Sequence, residues 1–234
     1  MIKSKQDYIH QLFNKISAKY DLLNSIISFG QDKNWRRFTA IKIKEHNPSK
    51  ILDVCAGTGM MSLAIAREIK DCQITGIDFS EGMLEKGASN LRKYREKERI
   101  KLRWGNASEL DFPDNSFDCA VMAFSLRNVD SIPQVLQEMK RIVKKGGLVV
   151  NLDISKPDNS FFRQLFYLYF YQLVPLVGRV VSGKEGPYKY LPNSLTNFPE
   201  RKQLEEIFTE IGLSQVRSYP LTGGVAALHL GQKV

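Results

Sequence analysis

The run ILDVCAGTG, residues 51–59, is the stretch that decides the fold class. Its first five residues form a short apolar strand, and Gly57 and Gly59 follow where a tight turn lets a ligand approach the backbone. Asp78 ends the next apolar run, a position from which a carboxylate can accept hydrogen bonds from both hydroxyls of a ribose. The pattern therefore predicts a nucleoside-binding unit whose residues are Asp53, Gly57, Thr58, Gly59 and Asp78.

Strand and helix patterns alternate on the C-terminal side of this unit. Helices are predicted at 61–70, 81–94, 132–144 and 201–211, and strands at 73–78, 99–104, 117–124, 148–154, 213–219 and 225–230. Such alternation predicts an α/β fold with a mostly parallel sheet and helices on both faces. Gly223 and Gly224 separate the last two strands, which predicts an antiparallel hairpin.

We predict one domain over the whole chain, because 234 residues are enough for a single complete core. Its predicted parts are an N-terminal helical cap (1–47), a cofactor-binding core (48–155), an apolar substrate lid inserted in the alternation (156–199), and a final helix with a strand hairpin (200–234). Trp35 and Trp104 are predicted to lie in the core.

The composition excludes several classes of protein. With 43% hydrophobic residues and 25% charged residues, the chain matches neither a disordered nor a fibrous protein. The net charge of +9 suits a nucleic acid, an anionic membrane or an acidic ligand without choosing among them. The uncharged aromatic run at 164–178 is 15 residues long and contains Pro175, whereas a membrane-spanning helix needs about 20 residues. We therefore predict no transmembrane helix.

The cysteines and histidines do not form a recognisable metal or disulfide pattern. Cys55, Cys72 and Cys119 fit neither a CxxC pair nor a zinc site, so we predict buried, reduced thiols in a cytoplasmic protein. The polar N-terminus lacks the apolar core of a signal peptide. No metal site is predicted.

Three further segments follow predicted strands at the edge where open α/β sheets bind their ligands. Asn106 and Ala107 can meet an adenine, or they belong to a simple turn. Arg127 and Asn128 lie where a substrate would bind, although an exposed Arg and a helix-capping Asn are the plain alternatives. The glycine turn itself serves either a dinucleotide or S-adenosylmethionine. Ser62 and the Met60–Met61 pair disfavour the dinucleotide, whose pyrophosphate needs a small third residue and the helix N-terminus.

Sequence blocks along nearly the whole chain resemble the quinone C-methyltransferases, which comprise the demethylmenaquinone methyltransferase family and its ubiquinone-pathway relatives. The blocks are FNKISAKYDLLNSIISFGQDKNWR (13–36), LDVCAGTG (52–59), FPDNSFD (112–118), LRNV (126–129), EMKRIVKKGG (138–147), YKYLPNS (188–194) with NFP (197–199), and TGGVAALHLG (222–231). The LRNV, YDLLN and YKYLPNS blocks are far more specific than the glycine turn.

The resemblance implies a class I S-adenosylmethionine-dependent methyltransferase fold of seven strands, the last of them antiparallel. It implies that Thr58, Asp78, Asn106 and Ala107 contact S-adenosyl-L-methionine. The implied reaction is C-methylation of a reduced polyprenyl quinone, with demethylmenaquinol as the first expectation. We expect a base, or a water held by Arg127, Asn128 and Tyr20, to take the phenolic proton.

The resemblance and the charge also imply the partners. The expected partner is a polyprenyl quinol, whose tail suits the aromatic segment 161–171. Peripheral contact with the inner face of a membrane and a homodimer are further expectations, and nucleic acid is not expected. The alternatives are the benzoquinol precursor of ubiquinone, an RNA or a soluble phenol as acceptor, an NAD-dependent oxidoreductase, and a non-catalytic lipid-binding subunit.

Overall fold

The structure is a computed structural model that describes residues 13–14, 17–174 and 194–234. Its strands are β1 (Lys50–Val54), β2 (Gln73–Asp78), β3 (Ile100–Trp104), β4 (Phe117–Ala123), β5 (Val143–Ile154), β6 (Leu213–Leu221) and β7 (Ala226–Lys233). Its α-helices are α1 (Tyr20–Ile27), α2 (Gln31–Lys44), α3 (Met60–Glu68), α4 (Glu81–Leu91), α5 (Ile132–Ile142), α6 (Ser160–Leu168) and α7 (Arg201–Glu210). Short 3₁₀ turns cover Ser17–Lys19, Arg95–Arg99, Leu126–Asn128 and Thr222–Gly224, and a π-helical turn covers Tyr169–Leu173.

In the described part of the chain, the seven strands form one sheet in the order β3-β2-β1-β4-β5-β7-β6. The strands from β3 to β5 pair in parallel, and β7 pairs antiparallel with both β5 and β6. The sheet is therefore mixed, and the predicted seven-stranded fold with an antiparallel last strand is confirmed.

Side chains that alternate along the central strands bury both faces of the sheet. Leu52 packs in one core cluster with Leu136 of α5 and Phe208 of α7. Its neighbour Ile51 packs in the other cluster with residues of α2 and α3, among them Ile65. Because successive side chains of a strand point to opposite faces, this division places helices on both sides of the sheet, as predicted.

The predicted helix at 132–144 is wrong at its C-terminal end. Helix α5 ends at Ile142, and Val143 already pairs with Phe117 in β4. Gly146 and Gly147 lie within β5 rather than after a helix. A Cβ atom on Gly147 would lie 2.5 Å from the carbonyl oxygen of Asp118, so close approach of the neighbouring strand explains this glycine.

Two polar side chains, Asn14 and Asp21, join the N-terminal segment to the edge where the parallel strands end. The Asn14 side-chain oxygen accepts hydrogen bonds from Ser80 Oγ (2.6 Å) and from the Gly82 N–H (3.1 Å). The Asp21 carboxylate accepts hydrogen bonds from Thr58 Oγ1 (2.6 Å) and from Asn90 Nδ2 (2.8 Å). Together they place α1 beside the glycine turn that follows β1.

Across residues 13–14, 17–174 and 194–234, no helix is both long enough and apolar enough to cross a membrane. Most of the YKYLPNS block, residues 188–193, and the end of the aromatic run, residues 175–178, lie outside the described residues.

Candidate active site

The glycine turn after β1 is fixed by the carboxylate of Asp78. The Gly57 N–H donates to one Asp78 oxygen at 2.9 Å, and the Ser80 N–H donates to the other at 2.9 Å. Gly59 has a φ of +76° and starts α3, and a Cβ atom there would lie 3.2 Å from Leu91. A carboxylate at this place can accept hydrogen bonds from the hydroxyls of a ribose.

A cavity of about 210 Å³ opens between this turn, the ends of β2 to β4 and helix α1. We call it the cofactor cavity. Of the predicted site residues, it is lined by Tyr20, Asp53, Gly57, Thr58, Asp78, Asn106, Ala107 and Asn128. Gly59 and Arg127 do not line it: Gly59 shapes the start of α3, and Arg127 faces a second cavity.

Asp53 is fully buried at the base of the cofactor cavity. One of its carboxylate oxygens accepts a hydrogen bond of 2.6 Å from Ser62 Oγ. The other, Oδ1, is buried without a hydrogen-bond partner among the described residues. Burial raises the pKa of Asp53 to about 7, while the bonds from Ser62 and the charge of Arg36 oppose that rise. An unsatisfied buried acceptor fits a cationic ligand group.

Thr58 does not present a free hydroxyl to the cavity, because its Oγ1 donates to Asp21 at 2.6 Å. Asp21 therefore brings a carboxylate to the start of α3, where a dinucleotide would place its pyrophosphate. The negative charges of a pyrophosphate and of the Asp21 carboxylate would repel each other there. The contact thus supports a cofactor without phosphate groups and disfavours the oxidoreductase alternative.

Tyr20 lines the cofactor cavity from the first turn of α1. Burial raises the pKa of its hydroxyl, and the nearby charges of Arg127 and Arg36 oppose that rise only in part. The hydroxyl is therefore protonated at neutral pH and is able to donate a hydrogen bond to a ligand. Asn128, which is also buried, lines the same cavity from the turn after β4.

Arg127 is held in a buried ion pair with Asp153 of β5. Its guanidinium also donates to the Phe124 carbonyl oxygen at 2.7 Å, and its Nε is buried without a partner in the described chain. Burial raises the pKa of Asp153, and the Arg127 charge opposes that effect. The charge of Arg127 is close enough to lower the pKa of Tyr20, but the Arg127 side chain lines a second cavity, described next.

The second cavity, of about 570 Å³, is almost entirely apolar. We call it the apolar cavity. Its walls come from the end of α1, from α2, from α6 and the π-helical turn, and from the connection before β7; they include Ile27, Trp35, Phe162, Phe166, Tyr169, Phe170 and Val225. Arg36 and Phe124 line both cavities, and the guanidinium carbon of Arg36 lies 4.9 Å from the centroid of the Phe124 ring. These two residues form the wall that the cavities share.

The sequence predicted no role for Arg36, Phe124 or Cys55, which all line the cofactor cavity, and the predicted burial of Trp104 is wrong. Trp35 is buried as predicted, but Trp104 is 61% exposed and lines the cofactor cavity. The prediction that all three cysteines are buried is wrong for Cys55, which is half-buried beside the same cavity. Phe124 and Cys55 have φ values of 60° and 57° at the ends of β4 and β1. Such strained residues concentrate at functional sites, but nothing in the sequence marks them.

No group of three or more potential metal ligands occurs among the residues described. The site combines the glycine turn, the Asp78 carboxylate beside it, the Asp21 carboxylate where a phosphate would bind, and the buried Asp53 Oδ1, which has no hydrogen-bond partner among the described residues. These features fit S-adenosylmethionine, which carries a ribose and an amino-acid group but no phosphate. The fold and the site together define a class I methyltransferase.

Comparison with solved structures and with sequence families supports this class. A methyltransferase from Thermotoga maritima, described as S-adenosylmethionine-dependent and possibly a histamine N-methyltransferase, superposes with a TM-score of 0.61 at 17% identity, covering 96% of this chain and 99% of that one. The model of the ubiE/COQ5 methyltransferase family matches residues 1–233, and the chain belongs to that family. The predicted cofactor, S-adenosylmethionine, is confirmed.

Two relatives are similar to this chain over more than nine-tenths of their own length. The demethylmenaquinone methyltransferase of Desulfitobacterium hafniense (strain Y51) is 43% identical over 233 residues, covering 99% of this chain and 92% of that protein. The demethylmenaquinone methyltransferase of Staphylococcus aureus (strain JH9) is 42% identical over 232 residues, covering 99% and 95%. The resemblance inferred from the sequence blocks is therefore confirmed.

Proposed function

We propose that this protein methylates a ring carbon of a reduced polyprenyl quinone, and that its acceptor is demethylmenaquinol. The observation that carries the proposal is the apolar cavity, which shares the Arg36–Phe124 wall with the cofactor cavity. A bicyclic ring with an isoprenoid tail needs an apolar site of this kind next to the methyl donor. The two named relatives support the choice of a naphthoquinol over a benzoquinol.

S-adenosylmethionine, when bound, supplies an electrophilic methyl group on a sulfonium. The acceptor carbon is a weak nucleophile until the neighbouring phenolic oxygen loses its proton and donates electron density to the ring. The carbon then gains the methyl group as the bond between that group and the sulfonium sulfur breaks, which leaves S-adenosylhomocysteine. The carbon loses its own proton and the phenolic oxygen regains one, so the ring is aromatic again and one proton is released overall. Holding the acceptor ring in line contributes roughly 7–11 kcal/mol to lowering the barrier of such reactions.

The residues around the shared wall stabilise the phenolate oxygen in this proposal. Arg127 supplies a guanidinium at the apolar cavity, and its Nε, which has no hydrogen-bond partner among the described residues, is the donor. Tyr20 supplies a neutral hydroxyl donor from the cofactor cavity. A base, or a water held by Arg127, Asn128 and Tyr20, accepts the phenolic proton. Donors in a dry site of this kind typically contribute two to three orders of magnitude in rate.

The proposal is tested by transfer of a labelled methyl group to short-chain demethylmenaquinol, with the corresponding benzoquinol assayed in parallel. Labelled naphthoquinol, formed at a higher kcat/KM than labelled benzoquinol, is expected. A preference for the benzoquinol would assign the other pathway. Confirmed cofactor binding with no quinol product would leave an RNA, a soluble phenol or a lipid-binding role.

A matched pair of variants tests whether the apolar cavity binds the acceptor. Ile27→Glu places a charge in the cavity wall, whereas Ile41→Glu places the same charge on an exposed residue of α2 that lines neither cavity. We expect KM for the quinol to rise at least tenfold only for Ile27→Glu, since burying an unpaired charge is costly. Equal KM values for both variants would contradict the assignment of the cavity.

We also propose that the mouth of the apolar cavity rests on an anionic lipid bilayer. Two stripes of exposed apolar side chains, spaced as on one face of a helix, form what we call the apolar rim; they are Leu22, Ile26 and Phe29 on one segment and Phe161, Leu165 and Leu168 on α6. Tyr169 joins the segments, because its hydroxyl donates to the Ile27 carbonyl oxygen at 2.6 Å and its ring lies 5.5 Å from that of Phe29.

Three features support a lipid surface as the partner of the apolar rim. The exposed fractions of Phe29 and Phe161 are both 78%, which is unusual for clustered aromatic side chains. The net charge of +9 favours an anionic leaflet. The proposed acceptor partitions into bilayers, and Phe29, Leu165 and Leu168 also line the apolar cavity, so the tail can enter directly from the lipid.

Co-sedimentation with vesicles of phosphatidylglycerol and phosphatidylcholine tests the rim. The Leu22→Ser/Phe161→Ser variant, whose two exposed residues belong to the rim but line neither cavity, should lose most vesicle binding but keep its activity on a short-chain quinol in solution. Ile41→Ser, an exposed residue of α2 outside the rim, is the control. Unchanged vesicle binding would refute the proposal. Conversion of a dimer to a monomer, with vesicle binding retained, would instead assign the rim to the homodimer predicted from the sequence.

A further inference from the structure

Arg36 is a buried cation for which the proposed reaction has no role. It belongs to α2 and is only 7% exposed, yet it lines both the cofactor cavity and the apolar cavity. Among the described residues that line the cofactor cavity, it is the sole Lys or Arg. A buried cation at a ligand site indicates an anionic group on the ligand.

The surroundings of Arg36 fix its guanidinium while leaving donors available. Its Nη1 donates to Asp32 Oδ2 at 2.5 Å, and Ser28 Oγ donates to the other Asp32 oxygen at 3.0 Å. The guanidinium carbon lies 4.9 Å from the centroid of the Phe124 ring. Within the described chain, Nη1 is the one guanidinium nitrogen with a hydrogen-bond acceptor. Since guanidinium carries five N–H donors, most of them can serve a ligand.

Asp53 complements this cation across the same cavity. Its Oδ1 is buried and has no partner in the part of the chain that the structure describes. The two residues influence each other, because the positive charge of Arg36 counteracts the rise in the pKa of Asp53. A buried cation and a buried acidic oxygen in one cavity match a zwitterion, and the amino-acid end of the cofactor is one.

We propose that Arg36 binds the α-carboxylate of S-adenosylmethionine, and that Asp53 Oδ1 accepts a hydrogen bond from its α-ammonium group. Arg36 then bridges two carboxylates, that of Asp32 and that of the cofactor, as a planar guanidinium with several donors can. We favour this role for Arg36 over binding an oxygen of the methyl-accepting substrate. Arg127, held in its ion pair with Asp153, already supplies a cation at the apolar cavity. The inference rests on the cofactor and not on the identity of the acceptor.

Calorimetric titration with two ligands tests this inference without any turnover. S-adenosylhomocysteine carries the amino-acid group, and 5′-methylthioadenosine lacks it. Arg36→Met should weaken binding of S-adenosylhomocysteine by about 30-fold, the size expected for a charge-assisted pair, and change the Kd of methylthioadenosine by less than about twofold. Arg36→Lys should give an intermediate loss, since it keeps the charge but not the planar fork.

Two further variants keep the test decisive. Asp32→Asn/Arg36→Met removes both charges, so Asp32 is not left ionised and unpaired, and it should show the same selective loss. Arg37→Met, on the neighbouring residue whose side chain is 71% exposed and pairs with Glu68, should bind both ligands normally. Equal losses for the two ligands would show a purely structural role for Arg36. Unchanged binding of both, with a raised KM for the quinol, would assign Arg36 to the acceptor instead.

Discussion

Arg127 and Asp153 form an ion pair whose side chains are only 6% and 2% exposed. The pair joins the turn after β4 to the end of β5, and the Ile154 N–H donates to the same Asp153 carboxylate at 2.8 Å. A buried pair of this kind orients its members more than it stabilises the fold, because removing two charges from water offsets much of their attraction. Its consequence here is a guanidinium fixed at the wall of the apolar cavity.

The first prediction separates the structural role of Arg127 from its role toward the substrate. Arg127→Met leaves Asp153 buried and unpaired, so we expect the free energy of unfolding to fall by about 3–5 kcal/mol in urea denaturation. Arg127→Met/Asp153→Asn should recover most of that stability but not the methyl transfer. A double variant with normal kcat would show that Arg127 acts only by supporting the fold.

The second prediction concerns the hydroxyl of Tyr20. Because burial raises its pKa above the ordinary value near 10, the hydroxyl stays protonated over the working range, and it should produce no fall in rate up to about pH 9.5. Tyr20→Phe should lower kcat by about 10- to 100-fold while S-adenosylhomocysteine binds within about threefold of normal. An intact kcat would remove the hydroxyl from the proposed mechanism.

The third prediction concerns the contact between Asp21 and Thr58, which joins α1 to the glycine turn. We expect Asp21→Ala and Thr58→Val each to weaken S-adenosylhomocysteine binding by about five- to tenfold, the cost of one charge-assisted hydrogen bond. The double variant should bind no more weakly than Asp21→Ala, since Asp21→Ala already removes the bond from Thr58 together with the bond from Asn90. Additive losses would indicate that Thr58 contacts the cofactor independently of Asp21.

The fourth prediction is a pH dependence of cofactor binding set by Asp53. Its pKa of about 7 in the free protein means that the carboxylate takes up a proton as the pH falls through 7. An ammonium group binds the ionised form, so the affinity for S-adenosylhomocysteine should rise from pH 6 to pH 8 and then level off. Methylthioadenosine should show no such change, and Asp53→Asn should abolish the dependence for S-adenosylhomocysteine. A flat profile for the unaltered protein would contradict the role of Asp53.

The fifth prediction concerns the stability of the ligand-free protein. The pKa of Asp53 is raised from 3.8 to about 7, so the folded protein binds the proton more tightly than the unfolded chain does. Stability contributed by the protonated form is therefore present below pH 4 and is lost as the pH rises to about 7. Asp53→Asn should increase the free energy of unfolding by about 2–4 kcal/mol at pH 8, and by little at pH 4. Denaturation at the two pH values measures this difference.

Most strands of the sheet, and the part of the site formed by the glycine turn and Asp78, were predictable because they follow from short stretches of sequence. The strand over Gln73–Asp78 was predicted with its observed bounds. Asp78 lies beside Gly57 because adjacent parallel strands bring their carboxyl ends to one edge. The end of α5 was not predictable. An apolar residue at position 143 fits both the helical pattern before it and the strand pattern after it, and only the pairing of Val143 with Phe117 decides between them.

The sequence by itself determined the fold class, the glycine turn and the family of this protein. All of these depend on residues near one another along the chain or on blocks that can be matched directly. The tertiary structure alone decided that Asp21 binds Thr58, that Arg36 and Asp53 line the same cavity, and that Phe124 lines both cavities. These relationships depend on how α1 and α2 dock against the sheet edge, and docking arises from packing between distant segments that leaves no periodic signal in the sequence.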